Sequence, residues 1–234
     1  MRFKPGIMQS FLHCLFTSVN KITSVFGIIV SPTMHAIGRV RDRGIYNYDY
    51  FRYSSLELAA HELNEKNAVG AGSVAELGVY TGEFAQIINR LFPDRTLYLF
   101  DTFEGFDRRN FRHETDSDLT DANFSNTSVE LVLKKMKYPE KCVVRKGFFP
   151  ETALGLENEE YVFVSIDTDL YEPIYEGLKY FYPRLKKGGY IFVHDYGNLD
   201  CFGGPKKAVK QFSEENGVTF FPLSDYIGSA VFVK

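Results

Sequence analysis

Ser73-Val-Ala-Glu-Leu-Gly-Val-Tyr-Thr-Gly82 is an apolar strand running into a turn bracketed by Gly78 and Gly82, and Thr96-Leu-Tyr-Leu-Phe-Asp101 is a second strand ending on an acid. Between them Glu83 to Phe92 has helical spacing, which makes one βαβ unit and predicts a parallel sheet. In open sheets of this kind ligands bind beyond the carboxyl ends of the strands. Gly78 and Gly82 stand at such an end, where a missing side chain lets a ligand approach the backbone and the N–H groups of the next helix. Asp101 closes the neighbouring strand 19 residues after Gly82, which suits a carboxylate accepting hydrogen bonds from a ribose.

A Gly-x-x-x-Gly turn alone carries little, because glycines after a strand are often structural. The acid on the strand says more. The dinucleotide fingerprint is G-x-G-x-x-G, whereas this turn reads Glu76-x-Gly78-x-x-x-Gly82. A carboxylate at that place suits the ammonium of a methionine moiety better than a pyrophosphate, so the expected ribose-bearing cofactor is S-adenosylmethionine. The rival is a NAD-dependent oxidoreductase on a similar sheet, weakened by Glu76 and by the missing third glycine.

Outward from this unit the alternation continues. Cys142 to Lys146, Tyr161-Val-Phe-Val-Ser-Ile-Asp167 and Tyr190 to Val193 read as strands. Glu172 to Leu185 and Lys206 to Glu215 read as helices, the second opened by Pro205 in a first helical turn. Val218 to Leu223 and Ser229 to Val233 read as a closing hairpin. Upstream, Ser54-Ser-Leu-Glu57 has the form of a capping box and predicts a helix from Ser54 to Lys66. The expected fold class is α/β, Rossmann-like: a mostly parallel seven-stranded sheet with an antiparallel C-terminal hairpin and helices on both faces, spanning residues 46–234. Residues 102–128 are polar, charged and aromatic without period, and a helix from Ser128 to Met136 follows. An insertion of that length is a candidate lid, the alternative being a solvated, mobile loop.

The chain has 234 residues, 44% hydrophobic and 24% charged, enough to bury one α/β core. A formal net charge of −3 leaves no basic excess for nucleic acid and favours small-molecule chemistry. Cys14, Cys142 and Cys201 are widely spaced, with neither zinc-ligand nor disulfide spacing, and fit a reducing cytoplasmic setting. Residues 1–45 form an N-terminal extension. Its apolar stretch from Ile7 to Val30 is interrupted by His13, Asn20 and Lys21, and no small-residue cleavage pattern follows, so it reads as an amphipathic helix rather than a secretory signal. Leu12, Leu15, Phe16, Val19, Ile22, Val25, Phe26 and Ile29 make its stripe. Such a stripe suits the chain's own core or a sister subunit in a homo-oligomer, with contact to a membrane surface as the lesser alternative.

Further acids sit at later strand ends. Asp167 and Asp169 end one strand, and Asp195 ends the next, 28 residues after Asp167. Adjacent strand ends bring such carboxylates within metal-ligand distance, and oxygen donors suit Mg2+ or another hard divalent cation. The alternative is one helix-capping acid with the others solvated. His194 beside Asp195 reads as an extra ligand, a proton acceptor, a support for another ligand or a strand residue facing a helix.

Together Val74-Ala-Glu-Leu-Gly-Val-Tyr-Thr-Gly-Glu-Phe-Ala85, Leu99-Phe-Asp-Thr-Phe-Glu-Gly-Phe106, Gly147-Phe-Phe-Pro-Glu-Thr152, Ile166-Asp-Thr-Asp-Leu-Tyr-Glu-Pro173 and Gly188-Gly-Tyr-Ile-Phe-Val-His-Asp-Tyr196 resemble the macrocin O-methyltransferase (TylF-type) family of metal-dependent sugar O-methyltransferases, whose fold is the class I methyltransferase fold. The resemblance implies that Glu76, Gly78, Tyr80 and Gly82 border the methionine end and that Asp101, with Thr102 beside it, holds the ribose. It also implies that Phe148 borders the adenine, that Ser54 and Ser55 approach the cofactor carboxylate, and that Asp167 contributes to this pocket. Asp167 and Asp195 match acids that bind Mg2+ in the family. The chain departs from the family's Asp-Asp pair by carrying His194-Asp195, one carboxylate fewer for a hard cation.

The expected reaction is transfer of a methyl group from S-adenosylmethionine to a sugar hydroxyl of a glycan or glycosylated natural product. Asp167 or His194 would accept the hydroxyl proton, and a metal would chelate the diol. A catechol-like phenol is the alternative acceptor. Phe106, Arg108, Arg109, Phe111, Arg112 and His113 of the lid could stack on sugar rings and pair with anionic groups.

Overall fold

A computed structural model describes residues 5–30, 49–65, 70–114, 120–198 and 203–234. Residues 1–44 form one compact unit and residues 45–234 another. In the first, helix α1 spans Pro5–Thr23 and a single 3-10 turn, Ser24–Phe26, follows. Gly27 then takes a left-handed conformation (φ 71°), and the chain folds back so that Asn20 bonds both the N–H and the C=O of Val30. Ile29 therefore lies outside the helix to which its spacing assigned it. Ile22, Val25 and Phe26 are exposed. No described helix is long and apolar enough to cross a membrane.

The second unit is a seven-stranded sheet. Its strands are β1 (Ser73–Leu77), β2 (Leu97–Asp101), β3 (Cys142–Lys146), β4 (Tyr161–Ile166), β5 (Leu185–Val193), β6 (Phe220–Leu223) and β7 (Ser229–Val233). They lie in the order β3-β2-β1-β4-β5-β7-β6, parallel except that β7 runs antiparallel to both neighbours. The period-2 alternation of the strands divides the core between the faces. Val74, Leu97, Leu99, Phe163 and Phe192 pack under α2 (Tyr50–Glu65), α3 (Ala85–Leu91) and α4 (Val129–Lys135). Ala75, Leu77, Phe100, Val164, Ile166 and Val193 pack under α5 (Tyr171–Arg184) and α6 (Gly204–Asn216). Strands buried on both faces read as the near-continuous apolar runs seen in the sequence.

Register brings the polar strand ends to one level. Leu77 pairs with Phe100 and Ile166, and Ile166 with Val193, so Gly78, Asp101, Asp167 and His194 each stand one residue past that row. The chain leaves β1 toward β2 on one side and β4 lies on the other, which is the switch point where open α/β sheets bind ligands.

Two boundaries differ from expectation by more than two residues. The capping-box reading placed the start of α2 at Ser54, but the helix starts a turn earlier, with the Asp49 carbonyl accepting from the Tyr53 N–H. Ser54 and Glu57 are buried inside it. Strand β5 begins at Leu185 rather than Tyr190, because Leu185 pairs with Tyr161 across an irregularity in β4. Lys66, residues 115–119 of the lid, the side chain of His113 and Cys201 lie outside the described residues.

Candidate active site

The turn after β1 is built by backbone geometry. Gly78 has φ 86°, and a Cβ there would stand 1.8 Å from the Asp167 carbonyl oxygen, so only glycine lets the two strand ends approach. Gly82 (φ 80°) brings the turn against Val132 of α4. Asp101 organises what lies between. Its Oδ2 accepts from the Val79 and Tyr80 N–H groups at 2.7 and 2.8 Å, and its Oδ1 from the Phe103 N–H at 2.6 Å. A carboxylate has about four acceptor positions, so three backbone bonds fix the group and leave room for one more. The half-buried Thr102 hydroxyl donates to the Gly105 carbonyl.

At the ends of β4 and β5 the construction rests on charge. Arg52, on α2, is 6% exposed; its guanidinium reaches Asp167 Oδ2 at 2.8 Å and lies over the Phe84 ring at 4.0 Å. His194 Nδ1 stands 3.0 Å from Asp195 Oδ2 and 3.2 Å from Asp167 Oδ1, bridging the two carboxylates. Burial works to raise the Asp167 carboxyl, but His194 and Arg52 overcome it and hold the group well below the usual carboxylate range. Burial likewise works to lower His194; Asp167, opposed by Arg52, prevails and the imidazole is pushed up to about 12. At Asp169 burial, together with Asp195 and Asp167, outweighs the opposing pull of His194 and Arg52 and raises the carboxyl well above its ordinary value. Glu76, 1% exposed, is raised for the same first reason, with Arg52 opposing. Its Oε2 has no hydrogen-bond partner.

A cavity of about 470 Å3 joins the two halves. Its lining takes in Glu76, Gly78, Tyr80, Asp101, Thr102 and Phe148 together with Arg52, Asp167, Asp169, His194 and Asp195. The described part of the lid forms its roof. Phe106, Asp107, Asn110 and Phe124 face the cavity, and Phe124 packs edge-on against both Tyr80 and Phe106 with ring centroids 5.2 Å apart. The Tyr80 hydroxyl donates to Asn126 Oδ1 and the Thr127 hydroxyl to the Tyr80 carbonyl, tying lid to turn. Arg109 lies 3.6 Å over the Phe148 ring and pairs with Asp107 and Glu151.

Residues 50–234 match the model of the macrocin O-methyltransferase (TylF) family. The chain belongs to that family. Among its relatives are mycinamicin III 3''-O-methyltransferase of Micromonospora griseorubida, 25% identical over 63% of the chain and 63% of that protein. Another is 8-demethyl-8-(2,3-dimethoxy-alpha-L-rhamnosyl)-tetracenomycin-C 4'-O-methyltransferase of Streptomyces olivaceus, 26% identical over 69% of the chain and 65% of that protein. The chain thus spans just under two thirds of the length of these relatives. Among solved structures the O-methyltransferase NovP shares the fold with a TM-score of 0.65 at 18% identity, covering 79% of this chain and 80% of that one. Calicheamicin methyltransferase CalS11 does so with a TM-score of 0.60 at 17% identity, covering 100% and 94%.

Within this family member the expected residues divide. Ser54 and Ser55 are on α2 but outside the cavity lining, which takes Arg52 and Tyr53 from that helix instead. Gly82 also lies outside the lining and packs the turn. Asp167, His194 and Asp195 do come together, one ligand atom of each within 4.8 Å of the others. As arranged they do not fit a hard ion of the magnesium type. Such an ion needs oxygen donors, whereas Nδ1 occupies the space between the carboxylates and Arg52 holds the other oxygen of Asp167. Arg52, Asn110 and Phe124 were missed by sequence reasoning. Arg52 carried one signal, a cation among the aromatic residues Tyr50, Phe51 and Tyr53, but nothing that assigned it a partner.

Proposed function

We propose that the chain is an S-adenosylmethionine-dependent O-methyltransferase that methylates a hydroxyl of a sugar unit in a glycan or glycosylated natural product. The observation that carries the reading is the buried, unpartnered Oε2 of Glu76 in the same cavity as Asp101. A carboxylate with a free acceptor at the end of β1 receives the ammonium of the methionine moiety, and the remaining acceptor position of Asp101 receives a ribose hydroxyl. Phe148, whose ring carries Arg109 on one face, borders the adenine with the rest of its surface. The sugar is suggested by the relatives, whose names describe O-methylation of mycinamicin III and of a rhamnosyl-tetracenomycin. Cytoplasmic location and a homo-oligomer are part of the same proposal.

When bound, the cofactor supplies a methyl group already activated as a sulfonium, so alignment by the cavity walls and removal of one proton are what the protein adds. Asp167 and His194 were the expected proton acceptors. Their mutual pairing works against both: Asp167 is held low and is a weak base, and His194 already carries its proton. Asp169, on the same cavity and raised by burial and its acidic neighbours, is the stronger base, and we assign it the hydroxyl proton. No step runs through magnesium.

Isothermal titration with S-adenosylmethionine and with NAD, followed by methyl-transfer assays on a panel of sugars and glycosides, tests the reading. Binding of NAD alone overturns it. Replacing Asp169 with Asn is expected to lower kcat by about 10²–10⁴-fold with cofactor affinity kept. Because only the ionised carboxyl accepts a proton, the acid limb of kcat should lie above the ordinary carboxylate range. Replacing Asp195 with Asn removes a charge that raises Asp169 and should move that limb to lower pH. An Asp169→Asn enzyme with unchanged kcat removes Asp169 from the role.

A further inference from the structure

We propose that Asp49, His194 and Asp225 form a divalent metal site of the zinc type, on the opposite nitrogen of the imidazole that bridges Asp167 and Asp195. One ligand atom of each of the three residues lies within 4.8 Å of the others. They come from three separate places: Asp49 precedes α2, His194 follows β5, and Asp225 lies in the turn between β6 and β7.

The donors are arranged as ligands rather than as partners of one another. His194 is 8% exposed, and its Nε2 has no hydrogen-bond partner. The nearest acceptor, Asp49 Oδ2, is 3.9 Å away. That is too long for a hydrogen bond, and two tetrahedral donors each about 2.0–2.2 Å from one ion lie about 3.3–3.6 Å apart, so a closure of a few tenths of an ångström would bring both onto one ion. Each carboxylate is held by one oxygen and leaves the other uncommitted. Asp49 Oδ1 accepts from the Tyr226 N–H at 3.1 Å. Asp225 Oδ2 accepts from the Ser229 hydroxyl, and its Oδ1 is buried without a hydrogen-bond partner.

The opposite nitrogen completes the pattern. A metal-binding histidine donates its other ring N–H to a carboxylate, which fixes ring and tautomer. Nδ1 of His194 has two carboxylates for that purpose, at 3.0 and 3.2 Å. One buried imidazole with two carboxylates suits Zn2+ or a similar borderline ion better than Mg2+, with water in the remaining position. The ion would take the place of a proton on Nε2, keep Nδ1–H aimed at Asp167 and Asp195, and tie the start of α2 to the C-terminal hairpin. Asp49 and Asp225 lie outside the cavity lining and only His194 is shared with it, so the inference does not depend on the reaction proposed above.

The test uses the full chain, stripped with chelator and titrated with Zn2+ by calorimetry, with bound metal counted by mass spectrometry and Co2+ absorption as a second readout. The wild type is expected to take up a stoichiometric equivalent and to gain thermal stability from it. Asp49→Asn and Asp225→Asn retain an acceptor for Tyr226 and Ser229 and should each weaken Zn2+ binding about tenfold or more. Circular dichroism checks that each variant folds, and either one alone suffices. Asp195→Asn should weaken binding less than either. A wild type that takes up no stoichiometric Zn2+ overturns the proposal. So does an ion lost in Asp195→Asn but retained in Asp49→Asn and Asp225→Asn, which would place it between the cavity carboxylates.

Discussion

The two ends of the cavity reach the same goal, a polar site inside an apolar sheet, by different means. Around Asp101 the work is done by neutral backbone: three N–H groups from residues 79, 80 and 103 converge on one carboxylate. Around Asp167 it is done by charged side chains from distant elements, with Arg52 and His194 facing Asp167 and Asp195 across α2, β4 and β5. A site made of local backbone forms whenever its turn forms. A site made of buried ions depends on every member, because each ion left without its partner carries an uncompensated desolvation cost.

Gly78 is where the two ends touch, and disturbing it should cost most. Its φ of 86° is left-handed and its missing Cβ faces a backbone oxygen, which cannot rotate away as a side chain could. Gly78→Ala is expected to cost more than about 4 kcal/mol, a large share of a domain's stability, read as a lower urea midpoint. A variant within about 1 kcal/mol of wild type would mean that strand ends β1 and β4 can separate freely.

The next comparison sets one end against the other. Arg52→Met keeps the stem that packs on Phe84 but takes the guanidinium from Asp167, which then has His194 alone, and from the buried Glu76, and a loss of about 3–5 kcal/mol is expected. Asp101→Asn keeps an acceptor for part of the backbone cradle and should cost about 1–2 kcal/mol. Urea unfolding of both checks the order. Equal losses would show that the charged end is no more interdependent than the backbone end.

The same contrast explains what was legible in the sequence. Glu76, Gly78 and Asp101 could be read because strand, turn and acid are close along the chain and their roles follow from local geometry. The strands Ser73–Leu77 and Cys142–Lys146 were legible for the same reason, as apolar or β-branched runs bounded by turns. Asp167, His194 and Asp195 could be placed together from adjacent strand ends, but not the ion pairs among them. Arg52 meets Asp167 across 115 residues of sequence and Asp49 meets His194 across 145, and no local pattern announces such a contact. The misplaced start of α2 has this cause too. Ser54 looked like a cap because its spacing to Glu57 is right, while the tertiary environment buries both inside a helix held further upstream.

Asn110 separates these cases most finely, because its backbone belongs to the lid and its side chain to the cavity. It lies in the 3-10 turn Arg108–His113 opened by Asp107, whose carboxylate accepts from the Arg109 N–H. The side chain is buried and its Oδ1 has no hydrogen-bond partner. A buried amide oxygen without a donor lowers the stability of the protein alone and is relieved by a ligand that brings an N–H. Phe148 and Asp107 line the same cavity, so the exocyclic amine of the adenine is a suitable donor. Asn110→Ala should therefore leave the unfolding midpoint unchanged or raise it, while weakening S-adenosylmethionine by roughly fivefold, the equivalent of about 1 kcal/mol for one neutral hydrogen bond. Calorimetry on the variant decides. Unchanged cofactor affinity with a raised KM for the acceptor would move Asn110 to the acceptor side, and would make the lid a recognition surface for the sugar rather than a cover for the adenine.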